Sequence, residues 1–121
     1  MPDTPPLRVL LVDDNVDTLE SLQILLQALG HEAEIARTPA EAIAQAASYG
    51  ANVAVVDIGL PGMSGYELAP ELRRASPTPL RLVAFTGYAG EEAVERARAA
   101  GFDAHLVKPV DVDQVLAVLA G

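Results

Sequence analysis

The chain has 121 residues, of which 50% are hydrophobic and 4% aromatic, as expected for one globular domain with an aliphatic core. Its formal charge of −9, from 17 acidic and 8 basic residues, argues against direct nucleic-acid binding, which needs clustered cations. Cysteine is absent, which excludes disulfides and thiolate metal sites and is compatible with a cytoplasmic location.

The first half of the chain is predicted to form two strand–helix pairs and a further strand. Residues 1–6 are proline-rich and resemble a flexible lead-in to one domain over residues 7–121. In chain order the elements are a strand over Leu7–Val12, a helix over Val16–Leu29, a strand over His31–Ala36, a helix from Pro39 to Ser48 and a strand over Asn52–Ile58. Thr38 and Glu41 have the spacing of a capping box, and His31 is assigned to the surface.

The second half continues the alternation of helices and strands. Ser64 and Glu67 have capping-box spacing and open a third helix, in which Pro70 predicts a kink. The remaining elements are a strand over Leu80–Phe85, a helix from Glu91 that Gly101 ends, a strand over Asp103–Val107 and a helix that Asp111 caps and that reaches Ala120. Short apolar strands that alternate with helices predict a parallel α/β sheet. No run of the chain is long enough to insert into a membrane.

Polar residues stand at the downstream ends of four of these apolar runs: Asp13-Asp14, Asp57, Thr86 and Lys108. The carboxyl ends of parallel strands open onto one edge of the sheet, so these side chains are expected to converge there. Asp13 and Asp14 could instead cap the following helix, and Thr86 and Lys108 are individually common at such positions. A carboxylate directly after an apolar run, as at Asp57, is costly to desolvate unless it is paired or binds a metal.

These residues resemble the motifs of the receiver domain of response regulators in two-component signalling. The resemblance extends over essentially the whole chain and depends on four segments: Asp13-Asp14, Asp57 followed by Leu60-Pro61-Gly62-Met63-Ser64-Gly65, Thr86-Gly87, and Lys108-Pro109. It implies a flavodoxin-like, three-layer fold with a five-stranded parallel sheet of order 2-1-3-4-5 and helices on both faces. The segments around Thr86 and Lys108 resemble those of receivers attached to hybrid histidine kinases.

The resemblance also implies a role for each site residue. Asp57 would be the phosphoacceptor and a ligand of magnesium (Mg2+), or of manganese (Mn2+), together with Asp14, the backbone carbonyl of Gly59 and, mainly through water, Asp13. Magnesium prefers such hard oxygen ligands and would offset the repulsion between grouped carboxylates and a phosphoryl donor. The other implied roles are phosphoryl binding by Lys108 and Thr86, a switch of state by Thr86 and His105, tuning of the phosphorylated lifetime by Gly59 and Tyr88, and a cis peptide before Pro109.

The function implied is that of a signalling switch rather than a metabolic enzyme. Its partners would be a histidine kinase or histidine phosphotransfer protein and an output domain or protein that contacts the fourth helix, fifth strand and fifth helix. One alternative is a receiver that binds partners without being phosphorylated. A second alternative, a magnesium-dependent phosphohydrolase, would usually have an acid–base aspartate at the position that Gly59 occupies.

Overall fold

A computed structural model describes residues 6–60, 62–87, 90–108 and 111–120 of the protein. The strands are β1 (Arg8–Val12), β2 (Glu32–Ala36), β3 (Val53–Asp57), β4 (Arg81–Thr86) and β5 (Ala104–Val107). The helices are α1 (Val16–Ala28), α2 (Pro39–Ser48), α3 (Gly65–Ala75), α4 (Glu91–Ala99) and α5 (Val112–Ala120). All ten predicted elements are present, and their bounds differ from the predicted ones by no more than two residues.

The five strands form one parallel sheet of order β2-β1-β3-β4-β5. This is the flavodoxin-like order that the resemblance implied, and it is confirmed. The register aligns the downstream ends of the strands: Val12 pairs with Val56, Asp57 with Phe85, and Thr86 with Val107. The residues that end or follow β1, β3, β4 and β5 therefore lie side by side at one edge of the sheet.

Side chains that alternate along the strands divide the core into two layers. One layer joins the sheet to α2, α3 and α4 through residues such as Ala46, Leu68 and Ala97. The other joins it to α1 and α5 through residues such as Leu22 and Leu119. All five residues of β3 are buried because helices cover both faces of this central strand. Within the described part of the chain, no helix combines the length and apolar character needed to cross a membrane.

The helix starts agree with the capping signals, with one difference in geometry. Ser64 and Glu67 form the predicted reciprocal capping box of α3. At α2 the Thr38 hydroxyl accepts a hydrogen bond from the Glu41 backbone N–H, but the Glu41 carboxylate accepts one from the N–H of Arg37, one residue before the cap. The α3 helix continues without a break from Gly65 to Ala75, with Pro70 inside it.

The assignment of His31 to the surface was wrong. His31 is only 8% exposed, and its Nδ1 accepts a hydrogen bond of 3.0 Å from the backbone N–H of Leu7. Its own backbone N–H donates to the carbonyl of Leu26 at the end of α1. The imidazole therefore satisfies a backbone donor just before β1 that would otherwise lack a partner, which explains its burial.

Three arginines bind backbone carbonyls at the opposite edge of the sheet, where the helices end. Arg8 donates to the carbonyl of Tyr49 after α2 over 2.8 Å, and Arg73 donates to the carbonyl of Gly101 after α4 over 2.9 Å. Arg81 donates to the carbonyl of Val118 in α5. These contacts satisfy acceptors that helix ends leave without intrahelical partners.

We expect truncation of α3 at its buried face to destabilise the fold. Leu72 is fully buried in the core, so Leu72→Ala should lower the free energy of unfolding by about 2–5 kcal/mol. Ile24 on α1 is 66% exposed, so Ile24→Ala is a matched control that should change it by less than about 0.5 kcal/mol. Urea denaturation followed by circular dichroism measures both values; equal losses would contradict the assigned core.

Candidate functional site

Three carboxylates meet at the downstream edge of the sheet. Asp13 follows β1 and is 1% exposed, Asp57 ends β3 and is 7% exposed, and Asp14 is exposed to solvent. One carboxylate oxygen from each of the three lies within 4.8 Å of the others. The acids that the sequence predicted to converge are therefore brought together. Grouped carboxylates offer the hard oxygen ligands that magnesium prefers.

The ammonium group of Lys108 binds two of these carboxylates. Its Nζ lies 3.2 Å from Oδ2 of Asp13 and 3.3 Å from Oδ1 of Asp57. The same ammonium lies 4.7 Å from the centre of the Phe85 ring, within range of a cation–π interaction. Burial alone would lower the pKa of Lys108, but the hydrogen bond and charge of Asp13 and the charge of Asp57 outweigh it and raise the pKa. Lys108 is therefore a cation at neutral pH.

Backbone N–H groups orient the two buried carboxylates. Oδ1 of Asp13 accepts a hydrogen bond of 3.1 Å from the N–H of Asn15, and Oδ1 of Asp57 accepts one of 3.2 Å from the N–H of Gly59. The side chain of Asn15 is the N-cap of α1 and accepts from the N–H of Thr18. The alternative in which the aspartate pair caps this helix is therefore wrong. Asn15 was missed in the sequence, although an asparagine directly before a predicted helix is a strong capping signal.

The fourth and fifth strands place Thr86 and His105 differently with respect to the acids. Thr86 is buried at the end of β4, and its carbonyl accepts a hydrogen bond of 2.7 Å from the N–H of Lys108. His105 lies in β5, faces α4 and lines a cavity of about 70 Å³ with residues that include Val94 and Arg98. Its Nε2 is buried and has no hydrogen-bond partner among the residues that the structure describes.

Two predicted site residues lie outside the described residues. These are Tyr88, assigned to tuning of the phosphorylated lifetime, and Pro109, assigned a cis peptide. Gly59 is described and exposed, and its backbone is held against the Asp57 carboxylate.

The family model described as the response regulator receiver domain matches residues 9–120, nearly the whole chain. The chain belongs to the response regulator receiver family. Receiver domains are components of two-component systems, which agrees with the resemblance found in the sequence motifs.

Similar proteins include both regulators and sensors. A response regulator receiver protein of Anaeromyxobacter sp. (strain Fw109-5) is 40% identical over 109 residues, which are 90% of this chain and 45% of that protein. The virulence sensor protein BvgS of Bordetella pertussis is 38% identical over 113 residues, which are 88% of this chain and 9% of BvgS. This receiver therefore spans less than half the length of either relative.

Solved structures of receivers have the same fold. The chemotaxis protein CheY4 of Vibrio cholerae superposes with a TM-score of 0.86 at 28% identity, over 96% of this chain and 98% of that one. A CheY-like response regulator receiver domain protein of Methanospirillum hungatei superposes with a TM-score of 0.84 at 34% identity, over 96% of this chain and 92% of that one.

The geometry around Lys108 predicts an unusual lysine titration. Lys108 is the only lysine in the sequence, so selective isotope labelling of lysine gives one side-chain NMR signal. We expect it to titrate above the ordinary pKa of 10.5. Asp13→Asn should lower this pKa, because the amide provides no charge, whereas Asp113→Asn, an exposed substitution on α5, should leave it unchanged. Equal midpoints in all three proteins would contradict the ion pairs.

The same shift sets the sign of the pH dependence of stability. Because folding raises the pKa of Lys108, its contribution is complete below the unfolded-state pKa of 10.5 and is lost as the pH rises through the folded-state value. Lys108→Met should therefore destabilise the metal-free protein at neutral pH, and its difference from wild type should shrink in alkaline solution. Urea denaturation of both proteins from about pH 8 to about pH 12 measures this difference.

Proposed function

We propose that the protein is a phospho-accepting receiver that takes a phosphoryl group onto Asp57 and thereby changes its binding to a partner. The observation that carries this proposal is the buried Asp57 carboxylate, which lies beside two further aspartates and against the Lys108 ammonium. A carboxylate can act as a nucleophile toward phosphorus, and a fixed cation offsets the charge that arrives with the phosphoryl group.

The three acids fit a magnesium ion. Asp14 is exposed, which supports a role as a direct ligand together with Asp57 and the carbonyl of Gly59. Both carboxylate oxygens of Asp13 already have partners, Asn15 and Lys108, which supports an indirect contact through water. A bound divalent cation would neutralise charge on the carboxylates and on phosphoryl oxygens. Manganese, which also binds carboxylate oxygens, is expected to substitute for magnesium.

The phosphoryl transfer uses groups of this chain in defined roles. A carboxylate oxygen of Asp57 attacks phosphorus on a phosphohistidine of the donor, a new P–O bond forms, the N–P bond breaks, and its electron pair returns to the imidazole. Lys108 is already within ion-pair distance of Asp57, so its ammonium can form an ion pair with a phosphoryl oxygen once the phosphoryl group is attached. Thr86, buried at the neighbouring strand end, would donate its hydroxyl to another phosphoryl oxygen.

The donor is a histidine kinase or a histidine phosphotransfer protein, as in two-component relays. The match to a segment of a virulence sensor protein supports a place beside a sensor kinase. The output domain or partner protein would contact α4, β5 and α5, the elements around His105, and neither nucleic acid nor membrane is contacted directly. We assign the receiver to residues 7–121 and the protein to the cytoplasm.

The chemistry is tested by removing the acceptor. Asp57→Asn should abolish acid-labile phosphate incorporation from acetyl phosphate, because an amide is not a nucleophile toward phosphorus under these conditions. EDTA should abolish incorporation into wild type, and Asp14→Ala should weaken magnesium binding more than Asp13→Ala. The control Asp113→Asn removes an exposed carboxylate on α5 and should be labelled like wild type.

Undiminished labelling of Asp57→Asn would place the acceptor elsewhere, and labelling in EDTA would remove the metal from the reaction. A wild-type protein that is never labelled but still binds a partner would favour the phosphorylation-independent receiver.

A second experiment tests whether Thr86 links phosphorylation of Asp57 to a conformational change in α4 and β5. Thr86→Ala should leave Asp57 able to accept phosphate but weaken the coupling between phosphorylation and the conformation of α4 and β5. Such a coupling free energy is worth ~1–3 kcal/mol in allosteric systems. NMR shift changes on addition of beryllofluoride and magnesium measure the coupling at His105 and in α4. Thr78→Ala, in an exposed turn, is the control and should respond like wild type. NMR shift changes in Thr86→Ala that are as large as those in wild type would exclude a threonine-based switch.

A further inference from the structure

The first residue of α3, Gly65, has no room for a side chain. A Cβ at this position would lie 2.6 Å from the carbonyl oxygen of Asp57 and 2.8 Å from the Cα of Ile58. Real Cβ atoms essentially never approach other atoms this closely, and both of these atoms belong to the backbone. Gly65 does not have a positive φ, so the close approach, rather than an unusual backbone conformation, requires glycine here.

The backbone that Gly65 contacts is held on its other side by the sheet. The N–H of Gly65 donates to the carbonyl of Ile58 over 3.0 Å, and the N–H of Ile58 donates to the carbonyl of Phe85 in β4 over 3.1 Å. The end of β3 therefore lies between β4 and the first turn of α3. The capping box of Ser64 and Glu67 fixes that turn. A methyl group at position 65 cannot be accommodated by a rotamer change and has to separate α3 from β3.

We propose that Gly65 is a positioning residue for the phosphoacceptor, a role that rests on the proposed function of Asp57. Its contact with the backbone of Asp57 and Ile58 fixes the first turn of α3 against the end of β3. The residue after Ile58 is Gly59, whose N–H donates to Oδ1 of Asp57 over 3.2 Å and whose carbonyl is proposed as a ligand of the metal. Separation of α3 from β3 moves this peptide group and with it the orientation of the Asp57 carboxylate.

The test compares Gly65 with Gly62, which lies three residues earlier in the chain. Gly65→Ala introduces the backbone clash, whereas a Cβ at Gly62 would meet no atom within 4 Å but would have a strained φ of +86°. Gly62→Ala is therefore a control for loss of stability without the contact. Magnesium affinity is measured by calorimetry, and phosphate incorporation from acetyl phosphate is measured at saturating magnesium.

Gly65→Ala should lower both magnesium affinity and the phosphorylation rate by about tenfold or more, as removal of groups that orient metal ligands typically does. Gly62→Ala should lower the melting temperature but leave affinity and rate within about threefold of wild type. Wild-type affinity and rate in Gly65→Ala would overturn the proposal, and so would equal losses in the two variants.

A double variant separates the backbone contact from side-chain packing. The Cδ1 of Ile58 would lie 3.0 Å from the added Cβ, and Ile58→Ala removes that contact but neither of the backbone contacts. The variant Ile58→Ala/Gly65→Ala should therefore remain as defective as Gly65→Ala. Recovery of magnesium affinity in the double variant would overturn the assignment to the backbone.

NMR of the metal-free proteins provides a readout that needs no phosphorylation. In Gly65→Ala the amide signal of Gly59 should shift, because its hydrogen bond to Asp57 changes. The amide signal of Gly30, in the distant turn after α1, should not shift. An unchanged Gly59 signal would overturn the proposal.

If Gly65→Ala does not fold, wild type is titrated with magnesium. The amide signal of Gly65 should then move together with that of Gly59, and a Gly65 signal that does not respond would overturn the proposal. Wild type that neither binds magnesium nor accepts phosphate would instead refute the proposed function.

Discussion

One ammonium group stabilises two buried carboxylates at the functional edge of the sheet. Lys108, the only lysine in the sequence, lies 3.2 Å from Asp13 and 3.3 Å from Asp57. Burial of an ionised carboxylate costs several kcal/mol, and this cation offsets that cost together with the backbone N–H groups of Asn15 and Gly59. Lys108 follows β5, and β4 separates that strand from β3, which ends at Asp57. The strand order is therefore a precondition for these two ion pairs.

This arrangement places the compensating charge before any reaction begins. The carboxylate proposed to attack phosphorus is in contact with the cation proposed to receive the phosphoryl charge, so little reorganisation is needed when the two groups exchange partners. The Phe85 ring lies 4.7 Å from the same ammonium and adds a cation–π interaction to its two ion pairs. The close approach of Gly65 to the backbone of Asp57 extends this control to the carboxylate proposed as the acceptor.

Features that depend on local sequence could be predicted, whereas those that depend on distant partners could not. Strand periodicity and the residues at strand ends predicted the convergence of the acids without any knowledge of strand order, which came from the resemblance. The burial of His31 depends on the N–H of Leu7, which is 24 residues away, so its own neighbours give no sign of it. The contact of Gly65 with Asp57 likewise appears only after α3 packs against β3. The capping role of Asn15 could have been predicted locally, because asparagine directly before a helix is a capping signal.

The arginines at the far edge have a consequence for the electric field of the domain. The helices run back along the sheet from the downstream ends of the strands, so their amino ends lie at the edge that holds the carboxylates. The carboxyl ends of α2, α4 and α5 lie near Arg8, Arg73 and Arg81, respectively. Each helix end has the effect of about half an elementary charge, positive at the amino end and negative at the carboxyl end. The scaffold is thus polarised along its strands, and the arginines compensate its negative pole. An incoming phosphoryl dianion would approach the positive pole, which partly offsets the formal charge of −9.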